Sequence, residues 1–282
     1  MTVESSGANL ASFRVGQAIG FAWKRSWKNF WWLLLAGLVI SGITIVAQLI
    51  FTWRGAPSYD FSDFSNPAQM DVGQMLTGDE ALAGLEVLLA IVGAVVQYLV
   101  ATFFALGVVR ISLAVSMGDR VRIGQLFSFV GYGRYLAGAI IVGLIIGVAA
   151  MVPIVAGVVI SIAANQIVWA IVGLVIGILL AFIFLVFFCL FAYAILGENA
   201  PNLTSLSRSW ELVKPHFWAF VGLQILLALI VIGVYVAAVI LGLLTLCFGL
   251  ILTLPAAMGL TLGIPAFTYA YAYRTLSGQA VA

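Results

Sequence analysis

The chain has 282 residues, of which 64% are hydrophobic and only 8% are charged. Soluble domains average about 45–50% apolar and about 25% charged residues, so 22 charged side chains are too few to cover a soluble fold of this size. The uncharged stretches are also far longer than the strands of about ten residues that build a transmembrane barrel. The composition therefore predicts an all-α protein, a polytopic membrane helix bundle, which we treat as one domain over residues 1–282.

The positions of the charges predict the membrane spans, because a charge at the bilayer centre costs about 3 kcal/mol or more. The uncharged runs 29–53 and 87–109 each fit one helix of about 20 residues. The runs 135–197 and 215–273 are too long for one span, since a helix of 60 residues extends about 90 Å. Each of these must be a hairpin of two helices. Six spans result, near 30–52, 82–110, 135–163, 167–196, 217–243 and 247–273.

A short amphipathic segment precedes each of the three predicted hairpins, at about 9–27, 120–132 and 202–214. The first and third copies align without gaps at Trp23 and Trp210, which indicates an internal repeat. We expect these helices to lie in the cytoplasmic interface, either as simple anchors or as lipid-sensing devices. The basic residues predicted to contact lipid there are Arg14, Lys24, Arg25, Lys28, Arg122, Arg134, Arg208 and Lys214.

The predicted connections follow local turn chemistry. Residues 53–81 form an acidic outer loop, and the capping box Thr77-x-x-Glu80 predicts the start of the second span. That helix should continue to Gly118, a residue type typical of helix ends. The third and fourth spans should be joined at Asn165-Gln166, and the fifth and sixth near Leu244-Thr245.

The distribution of Lys and Arg predicts the orientation of the chain. With six spans, 11 of the 12 basic residues fall on the face that carries both termini, and only Arg54 falls on the other. The positive-inside rule then places the N- and C-termini in the cytoplasm. A bacterial plasma membrane is the predicted location, as the family resemblance below implies.

No residue pattern in the sequence indicates enzymatic chemistry. His216 is the single histidine, and Cys189 and Cys247 fall near opposite ends of different predicted spans. The sequence contains no phosphate-binding loop, dinucleotide fingerprint, zinc motif or nucleophile elbow. We therefore expect a protein that is not an enzyme and that has no cofactor and no metal site.

The predicted spans carry few polar groups at depth, and none of those near the centre is ionisable, which argues against ion-coupled transport. Interhelical hydrogen bonding explains these polar groups, but a substrate-lining role stays open. Three GxxxG pairs lie in spans, but 29 glycines produce about as many pairs by chance. Two prolines predict an irregular sixth span, where a cavity is most expected. The candidate cavity-lining residues are Gln97, Tyr98, Gln224, Tyr235, Pro255 and Pro265.

One stretch carries a family resemblance. Ser207-Arg208-Ser209-Trp210-Glu211-Leu212-Val213-Lys214, followed by Phe217-Trp218, is similar to a recurring stretch of bacterial six-span membrane proteins. These proteins are grouped with the membrane domain of glycerophosphoryl diester phosphodiesterases and with YciC-like proteins. The segment Tyr273-Arg274-x-Leu276 is similar too. The resemblance implies a plasma-membrane protein, but no catalytic residue, because the chain lacks the phosphodiesterase domain.

Two functional hypotheses remain open. The first is a membrane scaffold or accessory protein that works through contacts with lipids and with other membrane proteins, without a nucleic-acid partner. The second is a passive or partner-driven permease for a lipid or small neutral solute, lined by Gln97, Tyr98 and Gln224. A continuous polar cavity around Gln97 would favour the permease, and dry packing there would favour the scaffold.

Overall fold

The computed structural model describes residues 13–52, 80–119, 123–198, 201–245 and 249–281. The predicted outer loop therefore lies almost entirely outside the described residues. Within the described ranges the chain is helical, without a strand. Two short 3₁₀ turns, Ile123–Phe127 and Lys214–His216, precede the second and third predicted hairpins. The α-helices are α1 Val15–Lys28, α2 Phe30–Thr52, α3 Glu80–Ser116, α4 Tyr132–Ala164, α5 Val168–Phe188, α6 Phe191–Gly197, α7 Asn202–Val213, α8 Phe217–Leu244 and α9 Leu250–Leu276.

Local turn chemistry accounts for two of the helix ends. After α3, Gly118 adopts a φ of 89°, and the Asp119 amide donates to the Ala114 carbonyl at 3.0 Å. After α4, Asn165 adopts a φ of 51°, and the Gln166 amide donates to the Ser161 carbonyl at 3.1 Å. Both are Schellman endings, in which a left-handed residue folds the chain back onto free carbonyls. The sequence predicts both turns at these residues.

The described chain divides into two compact units, which we treat separately. One contains the described residues of 39–101, which are the second part of α2 and the first part of α3. The other, called the main unit below, contains the described residues of 13–38 and 102–281.

The core of the main unit is built around α9, against which α1, α6 and α8 pack. Phe267, Ala270 and Tyr273 in the second half of α9 are at most 1% exposed. The opposite wall comes from α8, where Phe220 and Leu223 are fully buried. This core lies near the chain segments that carry most of the basic residues.

The first predicted interfacial segment, 9–27, is helical as α1 over Val15–Lys28, and its residues 9–12 lie outside the described part. The Phe21 ring lies 5.2 Å from that of Tyr271, and the Leu33 side chain contacts Gly263, so α1 and the start of α2 run antiparallel along α9. Ala18 and Ala22 have no exposed surface. Amphipathicity identifies an apolar face but not its partner, and here small side chains let that face pack against protein.

The other two predicted interfacial segments have different outcomes. The segment predicted as helix at 120–132 contains only the 3₁₀ turn Ile123–Phe127 and irregular chain before α4, and residues 120–122 lie outside the described part. The segment 202–214 is helical as α7, and it packs against α4, α5 and α6. Its Leu206 and Val213 side chains are buried. Its apolar face therefore also meets protein.

Four helical runs among the described residues are long and apolar enough to cross a membrane, within 91–116, 132–164, 168–197 and 203–244. The most apolar stretch of 132–164 is only 6% buried, and that of 203–244 is 17% buried. A water-soluble fold would bury such helices, whereas a bilayer solvates them. α2 contributes a shorter apolar stretch, Phe30–Ile43, and α9 is not among the four.

Candidate functional site

A buried polar network joins α6, α8 and α9 in the main unit. The Tyr269 hydroxyl donates to Gln224 Oε1 at 2.7 Å, and the Tyr193 hydroxyl donates to the Ala266 carbonyl at 2.9 Å. The rings of Tyr193 and Tyr269 are 6.4 Å apart. The network therefore ties side chains of three helices together inside an otherwise apolar core.

Tyr273 lies next to these groups, with its ring 6.2 Å from that of Tyr193, and its hydroxyl donates to Glu198 Oε1 at 2.9 Å. The same carboxylate oxygen accepts from Arg208 Nε at 3.4 Å. About a third of each side chain of the Glu198–Arg208 pair is exposed, so we expect it to contribute at most about 1 kcal/mol. Its main effect is to orient Glu198 toward Tyr273.

A break between α5 and α6 positions Tyr193. The predicted span 167–196 corresponds to one apolar helical run, 168–197, within which the regular α-helix is interrupted at Cys189-Leu190. Ser209 of α7 is fully buried at this point: its hydroxyl donates to the Phe187 carbonyl at 2.7 Å and accepts from the Leu190 amide at 3.3 Å. A side chain thus satisfies backbone groups that the interrupted helix leaves free.

An open apolar groove, called the tryptophan groove below, lies in the main unit between the α1–α2 segment and the α8–α9 pair, with a volume of about 710 Å³. Consecutive aromatic rings form one wall: the centroids are 5.9 Å apart for Trp23 and Trp27, 5.5 Å for Trp27 and Phe30, and 5.8 Å for Phe30 and Trp31. The lining residues are Trp23, Trp27, Phe30, Trp31, Leu34, Ile230, Gly233, Val234, Ala237, Ala238, Leu241, Thr253, Ala256, Ala257 and Leu260.

A second, much smaller cavity of about 20 Å³ lies in the main unit between α2, α3 and α9. Its lining includes Trp32, Val108 and Phe267 and is also apolar. This volume is about that of one water molecule, and a cavity without polar partners does not hold water well. Neither cavity is a polar pathway.

The predicted cavity-lining residues do not come together around either cavity. Gln97 and Tyr98 belong to unit 39–101 and are exposed. In the main unit, Gln224 is half-buried and engaged by Tyr269, and Tyr235 is 39% exposed.

The two prolines act in packing. Pro255 and Pro265 are half-buried within α9, as the sequence places them. The Pro255 carbonyl lies against Gly37 of α2, and Gly259 lies against the Leu33 carbonyl. α2 and α9 therefore approach closely at these two glycines, while other residues of α9 line both cavities.

The basic residues predicted to contact lipid differ in exposure, because Arg25 and Arg208 are half-buried and the other described ones are exposed. Arg25 lies over the Phe21 ring at 5.4 Å, and Arg208 pairs with Glu198. Arg122 lies outside the described residues. The exposed members of the set are Arg14, Lys24, Lys28, Arg134 and Lys214.

Sequence reasoning did not identify Ser209, Tyr193 or Tyr269 as members of a network. Their apolar surroundings give no periodic signal, and their partners are distant along the chain. The one feature of the sequence that pointed to this region was the stretch Ser207–Lys214, which carries the family resemblance and contains Arg208 and Ser209. Among the described residues, no cluster of three His, Cys, Asp or Glu side chains could hold a metal ion.

The sequence matches no protein-family model, and comparison with curated proteins and with solved structures finds no significant similarity. The resemblance to the phosphodiesterase membrane domain and to YciC-like proteins therefore stays a prediction.

Proposed function

We propose that this chain is a six-span protein of a bacterial plasma membrane, with both termini in the cytoplasm, that works as a scaffold or accessory protein through lipid and protein contacts. The observation that carries the proposal is that apolar helices are exposed and polar side chains are buried, which is the reverse of the arrangement in a water-soluble protein. The apolar helices α4, α5 and α8 present most of their surface outward, while the polar network lies inside around α9. This arrangement suits a bilayer as solvent.

The proposed orientation rests on charge. Lys24, Lys28 and Lys214 are exposed at the segments that enter the first and third predicted hairpins. Under six spans they share a face with Arg274, which follows the last predicted span. A phosphatase reporter, active only outside the cytoplasm, is expected to be inactive after Ala282 and active when inserted near residue 60. Activity at the C-terminus would contradict the orientation.

The scaffold is favoured over the permease because the polar side chain predicted at depth in the main unit, Gln224, already has a hydrogen-bond partner. Gln224 is engaged by Tyr269, and both described cavities of this unit have apolar linings. A solute pathway needs polar groups that are available to replace water, and the packed network offers few.

Solute flux tests this choice. The purified protein is reconstituted in liposomes, and the entry of small neutral solutes such as glycerol and urea is followed by light scattering. We expect no acceleration over protein-free liposomes, for wild type or for Gln97→Leu. A flux that wild type supports and Gln97→Leu abolishes would replace the scaffold with the permease.

A further inference from the structure

We propose that the tryptophan groove holds one acyl chain of an anionic phospholipid, with the phosphate group against Lys24 and Lys28. The inference names a ligand for the lipid contacts of the proposed function, and it rests on the chain being a membrane protein. Lining, dimensions and charge each support it.

The lining and the dimensions of the groove suit a hydrocarbon chain. Its volume of about 710 Å³ is within the range of about 300–1,000 Å³ typical of ligand sites. The α8 wall extends from Ile230 to Leu241, about 16 Å along a helix axis. One leaflet of the hydrocarbon core is about 15 Å thick, so the groove has the length of one leaflet.

The aromatic wall marks the end at which a headgroup would lie. Trp23 and Trp27 are 44% and 53% exposed although they line the groove, and Trp31 is 77% exposed. Tryptophan rings favour the boundary between hydrocarbon and headgroups. Because α1 runs antiparallel to α9, its tryptophans lie at the end of the groove remote from Thr253.

Charge at the same end favours an anionic lipid. Lys24 and Lys28 follow Trp23 and Trp27 in sequence and lie one helical turn apart on α1, and both are exposed. α1 contains no acidic residue, and no ion pair with either lysine is found among the described residues. Arg25 differs, because its guanidinium lies over the Phe21 ring. Neither lysine lines the groove, but each extends from a position next to a lining tryptophan, so its long side chain can bring an ammonium group to a phosphate at this end of the groove.

Filling the groove tests the position of the acyl chain. Ala237 lines the groove on α8, so Ala237→Trp places an indole inside it. Ala228→Trp is the matched control, since Ala228 is exposed on the same helix and is not part of the lining. Each variant is purified in detergent, equilibrated with equal amounts of phosphatidylglycerol and phosphatidylcholine, and weighed by native mass spectrometry.

We expect wild type and Ala228→Trp to retain one phosphatidylglycerol, and Ala237→Trp to retain at least tenfold less. Equal retention by Ala237→Trp and wild type would overturn the proposal. A wild-type dimer that Ala237→Trp dissociates would also overturn it, because the groove would then hold a second copy of the chain.

Removing the lysine charges tests the headgroup without disturbing the core. We expect Lys24→Gln with Lys28→Gln to reduce the preference for phosphatidylglycerol over phosphatidylcholine by about 25-fold, which is about fivefold for each lysine. Lys214→Gln removes an exposed cation elsewhere and should leave the preference unchanged. An unchanged preference in the double variant would overturn the assignment of the headgroup.

The proposed function is tested separately. Extraction of native membranes with carbonate shows whether the chain is integral, independently of any retained lipid. A chain that stays in the membrane but retains no phospholipid contradicts this inference alone. A chain that carbonate releases contradicts the proposed function itself.

Discussion

The close packing of α4 on α5 leads to a quantitative prediction for one glycine. Gly157 of α4 faces Gly173 of α5, and both are buried. A Cβ atom added at Gly157 would lie 2.6 Å from the Trp169 carbonyl oxygen and 2.8 Å from the Gly173 Cα. Ordinary contacts between carbon atoms are about 3.5–4.0 Å, so in Gly157→Ala the two helices must separate by about 1 Å.

The energetic cost follows from that displacement and from a matched control. Gly143 lies on the same helix, and a Cβ atom added there meets nothing within 4 Å. Both substitutions gain about 1 kcal/mol of helix propensity, so this contribution cancels in the comparison. Overpacking costs about 1–3 kcal/mol. We therefore expect Gly157→Ala to have a free energy of unfolding about 1–3 kcal/mol below that of Gly143→Ala.

The measurement is unfolding of each purified variant in mixed micelles of increasing dodecyl sulfate content, followed by circular dichroism. Retained lipid, read by native mass spectrometry, should be equal in the two variants, because neither glycine lines the tryptophan groove. Equal stabilities of Gly157→Ala and Gly143→Ala would refute the close approach of α4 and α5.

Three further substitutions test individual contacts by the same unfolding assay. Ser209→Ala leaves the Phe187 carbonyl and the Leu190 amide at the α5–α6 break without their partner, so the free energy of unfolding should fall by about 1–3 kcal/mol. Ser207 is exposed, so the control Ser207→Ala should change it by less than about 0.5 kcal/mol. Tyr269→Phe leaves the Gln224 amide oxygen without its donor and should cost about 1–3 kcal/mol; a neutral result would mean that this hydrogen bond is absent. Asn165→Ala should destabilise by about 1 kcal/mol and Asn165→Gly should not, because the position has a φ of 51°; equal effects would exclude the left-handed turn.

Local chemistry made part of the fold predictable from sequence. α2 occupies Phe30–Thr52, the range predicted for the first span, because charges bound the apolar run on both sides. The turn at Asn165-Gln166 was predictable since it is the strongly polar pair in a long apolar run. Such features depend on neighbours along the chain.

Features that depend on distant partners were not predictable. Gly143 and Gly157 are both glycines of α4, but only Gly157 meets a neighbouring backbone. The break at Cys189-Leu190 depends on Ser209, which is about 20 residues away and has no distinctive spacing. Gln224 was identified as a polar residue at depth, but its partner Tyr269 was not.

The sequence by itself determined the class of this protein: the scarcity of charge indicates a lipid environment, and the placement of charge indicates where helices begin and end. Tertiary structure alone decided what each apolar face meets. In α1, one amphipathic helix carries small residues that pack along α9 and tryptophans that line an open groove. The reason is physical, because hydrophobicity drives a face out of water without specifying a partner, and only shape and packing then select protein or lipid.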